Sequence, residues 1–176
     1  MTHWPGILKA VPPVPSGLIT AYVGLGSNLG DRSRNLQGAI DRLGKVGFIS
    51  AVSSVYQTKP WMVDDYQPRY LNQVAAVQTT LDALQVVIEL LAIESSLGRV
   101  REKKNASRTL DLDLLLHGDT VLEATGVTVP HPRLHERAFV LVPLAEIAAE
   151  VVHPILGRTI SDLADESDCS GIRGIL

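Results

Sequence analysis

Cysteine is almost absent from this chain. Cys169 is the only one in 176 residues, so no intramolecular disulfide can form, and both a stapled secreted scaffold and a cysteine-based zinc site are excluded. Aromatic residues are also scarce, at 5%, too few to suggest the clustered stacking platform of an RNA-binding sheet. No excess of positive charge exists either. The net charge of −3 argues against a broad nucleic-acid surface, while leaving room for a local basic pocket that suits a small anion. The first seventeen residues, MTHWPGILKAVPPVPSG, contain four prolines and no continuous apolar run, which fits neither a signal peptide nor a membrane span. The expected compartment is therefore the cytoplasm, with no membrane partner and no nucleic acid.

What is present is ordinary for a globular chain: 45% hydrophobic and 20% charged residues, enough to bury a core within one domain. The expected organisation is a flexible arm over 1–18, a folded domain over 19–165, and a tail over 166–176 that frays. ITAYVGL, from Ile19 to Leu25, reads as a strand entering a Gly26-Ser27-Asn28 loop. Asp31 to Leu43 reads as a helix capped by Asp31 and stopped at Gly44. Phe48 to Tyr56 is expected as one strand, Gln57 to Pro68 as a long loop, and Tyr70 to Thr79 as a third strand. Thr80 is expected to open a helix from Leu81 to Leu97 whose buried stripe is Leu84, Val87, Ile88, Leu91 and Leu97, with Gly98 as the stop. The order β, α, β, β, α, β, closed by the strand of Ser107 to His117, predicts an α+β fold. Its core is a ferredoxin-like antiparallel sheet with helices packed on one face. A C-terminal extension follows, including an apolar helix from Phe139 to Ala149 that crosses Pro143.

The most informative stretch is SRTLDLDLLLH, Ser107 to His117. Asp is depleted in strands, yet Asp111 and Asp113 sit at i and i+2, on one face and about 6.6 Å apart by strand rise. Two readings of the pair stand. It can be the solvated side of an amphipathic strand, with Arg108 as counter-ion. Alternatively, the carboxylates hold a hard cation such as Mg²⁺, Mn²⁺ or Ca²⁺. The basic residues Arg99, Arg101, Lys103, Lys104 and Arg108 just upstream favour the second, because a metal and several fixed cations together suit a polyphosphate. This is the pattern of a Mg-nucleotide site.

Other motifs say less. Gly24-Leu25-Gly26-Ser27-Asn28-Leu29-Gly30 lacks the Gly-Lys-Ser/Thr ending of a P-loop and the spacing of the dinucleotide fingerprint, so its glycines are assigned to a tight strand-to-helix turn. His131 and His135, flanked by Arg133 and Arg137, form either an anion-facing cluster or a solvated turn. Tyr70 beside Asn72, and Phe139, belong either to the core or to a stack on a planar ligand. No serine sits in a nucleophile elbow.

Taken together, SRTLDLDLLLHG, the Val129 to Ala148 run VPHPRLHERAFVLVPLAEIA, GLGSNLGD, SSVYQTKP and YLN resemble the 6-hydroxymethyl-7,8-dihydropterin pyrophosphokinases, over roughly Ala21 to Leu163. The resemblance implies a ferredoxin-like core, ATP as donor, two Mg²⁺ ions, a reduced pterin as acceptor, and a monomer. Carried over position by position, Asp111 and Asp113 would hold the metal ions, and Arg99, Arg108 and both aspartates would carry catalysis. Glu94, Arg99, Arg101, Arg108, His131 and Arg137 would meet the nucleotide. Tyr70 and Phe139 would sandwich the pterin, Asn72 would bond its edge, and Thr58 and Pro60 would line its rim together with Trp61. The chain departs from the family pattern at Asn105-Ala106-Ser107, where Trp-Gly-Pro is common, at Leu91, where some members place a glutamine, and at Pro132, where an aromatic is sometimes found.

The implied reaction is attack of the pterin hydroxymethyl oxygen on the β-phosphorus of ATP, with AMP leaving. A two-metal nucleotidyltransferase also uses D-x-D and Mg-ATP but attacks the α-phosphorus. A ferredoxin-like RNA-binding module is the non-enzymatic rival, disfavoured by the acidic charge and the few aromatics.

Overall fold

Alternation along β1 (Ile19–Ser27) organises the molecule: Ala21, Val23 and Leu25 point into one core and Tyr22 toward another. The computed structural model describes residues 17–60, 67–98 and 107–175. Beyond β1, the elements are α1 (Arg32–Leu43), β2 (Phe48–Val52), β3 (Val55–Thr58), β4 (Tyr70–Thr79), α2 (Ala83–Ser96), β5 (Asp111–His117), β6 (Leu122–Ala124), β7 (Val127–Val129), α3 (Ala138–Ala148), α4 (Ile160–Asp165) and β8 (Arg173–Ile175). A six-stranded sheet runs β5-β1-β4-β3-β8, with β2 also paired to β4, and every pairing in it is antiparallel. β6 and β7 form a separate hairpin.

One face of the sheet is sealed. Ala21, Val23 and Leu25 of β1, Ala75 and Val77 of β4, and Leu112 and Leu114 of β5 pack against Leu36, Ala39 and Leu43 of α1 and Val86, Leu90 and Ile93 of α2. The other face is covered in part: Tyr22, Val74, Leu115 and Leu116 meet Val140, Leu141 and Leu144 of α3 and Ile160 and Leu163 of α4. Among the described residues the architecture is thus a mixed α/β one, an antiparallel sheet with four helices, and the helices do not all share a face as the sequence pattern predicts. A bulge between Tyr22 and Val23 slips the β1–β5 register, which lets consecutive Leu115 and Leu116 serve the same core.

Local chemistry sets the helix starts. The Asp31 carboxylate accepts from Arg34 N–H at 3.0 Å, as expected. For α2 the start is Asp82, not Thr80: Asp82 accepts from Gln85 N–H and Gln85 answers to Asp82 N–H, a capping box. Its buried stripe is also rotated from the expected one, being Ala83, Val86, Leu90 and Ile93, while Leu84, Ile88 and Leu91 are 49%, 55% and 39% exposed. With leucine, isoleucine and valine on both sides of the helix, spacing alone cannot fix which side faces the sheet.

The expected single strand of Phe48 to Tyr56 is broken. Ser53 N–H donates to the Val74 carbonyl and Ser53 Oγ accepts from Val74 N–H, inserting a bulge between β2 and β3, while Glu146 of α3 takes up the Ser54 N–H, the Ser54 hydroxyl and the Tyr56 hydroxyl. The segment expected to fray pairs with β3 as β8, with Val55 opposite Ile175 and Gln57 opposite Arg173. Among the described residues no helix is long and apolar enough to cross a membrane.

Candidate active site

The uncovered part of the second sheet face is a cleft. It is lined by Gly24 and Gly26 of β1, Thr58 and Lys59, Tyr70, Asn72, Gln73 and Val74 of β4, Arg108, Asp111, Asp113 and Leu115, and Arg137, Phe139 and Val140. The two aspartates reach it because β5 alternates: Leu112 and Leu114 go to the core, and Asp111 and Asp113 project the other way. Across the ladder, Gly26 stands opposite Asp111 and Gly24 opposite Asp113. These glycines are strand residues, not members of the turn the sequence suggests; the turn glycine is Gly30, at φ +65°. Their missing side chains keep the floor open beside the carboxylates, and a Cβ on Gly26 would stand 3.2 Å from Asn72 Oδ1, so the close seat of that carboxamide depends on glycine.

Around the aspartates the cleft is charged. Arg108 Nη1 donates to Asp111 Oδ2 at 2.6 Å, and Arg137 Nη1 lies 3.5 Å from Asp113 Oδ2. His131 Nε2 lies 4.0 Å from the same oxygen and 3.5 Å from Arg137 Nη1. The Asp113 side chain keeps 37% of its surface open. Desolvation by the cleft walls, then the neighbouring Asp111 charge, push Asp113 up to about 6, against the opposing pull of Arg137. Burial, reinforced by the Arg137 charge, pulls His131 down to about 4. Burial likewise lowers Arg137 from its ordinary range. Of the two readings of the acidic pair, the geometry excludes a freely solvated strand face: the carboxylates sit in a lined cleft among cations.

Beside the charged residues lies a set of polar and aromatic side chains. Asn72 and Thr58, 7% and 4% exposed, are joined by a 2.7 Å hydrogen bond from Asn72 Nδ2 to Thr58 Oγ1, and Tyr70 pairs with Thr58 across β3 and β4. Phe139, at the start of α3, lines the cleft too, with the Arg137 guanidinium 5.8 Å from its ring centre. Tyr70, Phe139, Asn72 and Thr58 thereby share one cleft with Arg108, Asp111, Asp113 and Arg137, and His131 sits beside Asp113 and Arg137.

Two expected residues lie elsewhere. Glu94 is 2% exposed and its Oε1 accepts from Leu112 N–H at 2.7 Å, beside the strand between the aspartates and not among the described residues that line the cleft. Pro60 lines an adjoining hollow with His135, Phe139 and Gly171. Arg99 and Arg101, with Lys103, Lys104 and Trp61, lie outside the described residues. Sequence reasoning missed Gly24, Gly26, Lys59 and Gln73 as lining residues; the signal for the glycines was their i, i+2 spacing on the aspartate side of β1.

Asn28, 1% exposed, locks the loop that carries Arg108. Its Oδ1 accepts from Arg108 N–H at 2.7 Å, its Nδ2 donates to Gln67 Oε1 and Ser107 Oγ, and Ser27 Oγ donates to the Thr109 carbonyl at 2.6 Å.

The donor chemistry fits a hard divalent cation. Among the described residues no group of three or more His, Cys, Asp and Glu converges on a point, so an ion held by Asp111 and Asp113 would complete its shell with water and substrate oxygens, the arrangement Mg²⁺ prefers.

The 7,8-dihydro-6-hydroxymethylpterin-pyrophosphokinase family model matches residues 22–149. The chain is similar to the 2-amino-4-hydroxy-6-hydroxymethyldihydropteridine pyrophosphokinase of Synechocystis, 44% identical over 154 residues, covering 86% of this chain and 78% of that one. The enzyme of the same name from Haemophilus influenzae is 40% identical, covering 84% and 95%. Among solved structures, Plasmodium falciparum HPPK-DHPS superposes with a TM-score of 0.66 at 15% identity, covering 85% of this chain but 44% of that one; that likeness is one of fold.

Proposed function

The chain belongs to the 7,8-dihydro-6-hydroxymethylpterin-pyrophosphokinase family, and from that premise we propose how its own cleft divides the work. The activity is transfer of pyrophosphate from ATP to the hydroxymethyl group of 6-hydroxymethyl-7,8-dihydropterin, giving the pterin diphosphate and AMP, a step of folate biosynthesis. Nucleotidyl transfer and RNA binding are not favoured.

In our reading the acceptor lies between Tyr70 and Phe139, with its polar edge on Asn72 and on the rim at Thr58 and Pro60. A flat bicycle wants two π-faces and a few fixed polar groups. The Asn72–Thr58 bond, 2.7 Å long and nearly dry, supports this by fixing the carboxamide before any ligand arrives. The triphosphate extends toward Arg108, His131 and Arg137, joined by Arg99 and Arg101 from outside the described residues. Asp111 and Asp113 would hold two Mg²⁺ ions, whose contribution when bound is to neutralise the polyphosphate charge. Glu94 enters as the group that fixes β5 beneath the aspartates.

The hydroxymethyl oxygen forms a bond to the β-phosphorus as the bond from that phosphorus to the oxygen it shares with the α-phosphorus breaks; AMP departs with that oxygen. Most of the acceleration comes from alignment and charge complementarity rather than covalent participation. In this reading Asp113 Oδ2, 3.5 Å from Arg137 Nη1, receives the hydroxyl proton.

Two broader readings go with this. The order β5-β1-β4-β3, with β2 on the same edge of β4 as β3, supports a ferredoxin-like core followed by a C-terminal extension. We also propose a cytoplasmic monomer, in which the free and exposed Cys169 stays reduced.

One observation carries the assignment: the aspartate pair and the Tyr70, Asn72 and Phe139 group open into the same cleft. Incubating the protein with γ-labelled ATP and the pterin tests it. Label in a pterin diphosphate, with unlabelled AMP, is expected; labelled free pyrophosphate with a pterin adenylate would overturn it.

A further inference from the structure

The turn before β8 and β8 itself lie beyond the residues that the family model matches, yet they touch the acceptor end of the cleft. Arg173, Gly174 and Ile175 pair with Gln57, Tyr56 and Val55, so β3 is bonded on both edges, to β4 on the inside and β8 on the outside. Ile175 packs against the main core and anchors this ladder. Next along β3 is Thr58, the acceptor of the Asn72 hydrogen bond.

Lys59 follows, and it too is held from the C-terminal side. A Cβ on Gly171 would stand 3.7 Å from Lys59 Cδ, so the lysine methylenes lie against this turn. Gly171 has φ +92°, a conformation that glycine adopts without strain. Lys59 and Phe139 line both the main cleft and the adjoining hollow, whose far wall is Ser170, Gly171 and Ile172. The C-terminal turn thus walls a hollow that shares Thr58, Lys59 and Phe139 with the main cleft.

We propose that Gly171 to Ile175 is a positioning segment for the acceptor. It holds Thr58 and Lys59 at the mouth of the slot and thereby sets affinity for the pterin ring, without a part in nucleotide binding. This rests on the acceptor reading given above. The competing role is purely structural: a strand that closes the exposed sheet edge would change stability and spare the balance between the two ligands.

Two variants test it: the chain ending at Ile172, and Gly171→Val in the full chain. Each is titrated calorimetrically with a non-hydrolysable ATP analogue and Mg²⁺, then with 6-hydroxymethylpterin at saturating analogue, after circular dichroism has verified folding. Pterin affinity is expected to fall about tenfold while analogue affinity stays within about twofold. A folded variant with unchanged pterin affinity, or with equal loss for both ligands, overturns the proposal. Should the shortened chain fail to fold, Gly171→Val decides by the same criterion. Tyr70→Ala, measured alongside, separates the layers: if it too leaves pterin affinity unchanged, the acceptor reading itself fails; if it weakens pterin and the other variants do not, only the positioning role falls.

Discussion

Asp113 sits under opposing influences, with Asp111 and Glu94 disfavouring its charge and Arg137 and Arg108 favouring it. Removing its carboxylate as Asp113→Ala takes away one of the two proposed metal ligands and the oxygen that faces Arg137 and His131. Turnover is expected to fall by at least about a thousandfold, in line with loss of a major electrostatic contribution to a transition state, while calorimetry still registers pterin binding, because Tyr70, Asn72 and Phe139 are untouched. Mg-dependent turnover near the parent rate would refute the metal assignment. The aromatic pair behaves in the opposite way. Tyr70→Ala or Phe139→Ala each removes one stacking face, worth about 0.5–1.5 kcal/mol beyond area burial, so pterin binding should weaken about tenfold or more with little change for the ATP analogue. Unchanged pterin affinity in both variants would remove the sandwich.

At the element scale the decisive piece is β5, which among the described residues is an edge strand paired with β1 alone. Its other side gives up Leu112 N–H to Glu94 of α2, a helix-to-strand clamp between the two aspartates. Glu94→Ala leaves that amide without its acceptor at a cost of about 1–3 kcal/mol, whereas Glu94→Gln retains an acceptor oxygen. Urea unfolding should therefore show a clear loss for the alanine variant and a smaller one for the glutamine variant; equal loss in both would mean that the buried charge, not the hydrogen bond, is what β5 needs. This clamp was not legible in the sequence, where Glu94 stands out only as a residue matched to a nucleotide contact. What was legible followed from strong local signals: the period-2 runs of β1, β4 and β5, the Asp31 cap, and the paired aspartates whose depletion in strands marks them. The phase of α2 was hidden because both its sides are apolar. The β2–β3 break was hidden because Ser53 and Ser54 extend an ordinary strand pattern until Val74 and Glu146 meet them. β8 went unseen because a three-residue strand at a sheet edge leaves almost no periodic signature, and its partner β3 is distant in sequence.

For the whole molecule, the sheet separates two tasks: α1 and α2 seal one face with the larger core, and the other face carries ionisable groups that α3 and α4 leave partly open. Holding such groups together shows in the pH dependence of folding. Asp113 is raised from 3.8 to about 6, so between those values the native chain binds a proton that the unfolded chain has lost, and stability falls as pH rises through the window. His131 is lowered from 6.5 to about 4, so over nearly the same range the unfolded chain binds the extra proton, and stability rises with pH. The two slopes oppose each other. In buffers without divalent cations the melting temperature of Asp113→Asn should therefore climb between pH 4 and 6 relative to the parent, because the falling Asp113 contribution is removed. That of His131→Gln should decline between pH 4 and 6.5 relative to the parent, because the rising His131 contribution is removed. Scanning calorimetry across this range decides the matter, and parallel profiles for the parent and both variants would mean that the cleft does not hold these groups away from their ordinary protonation.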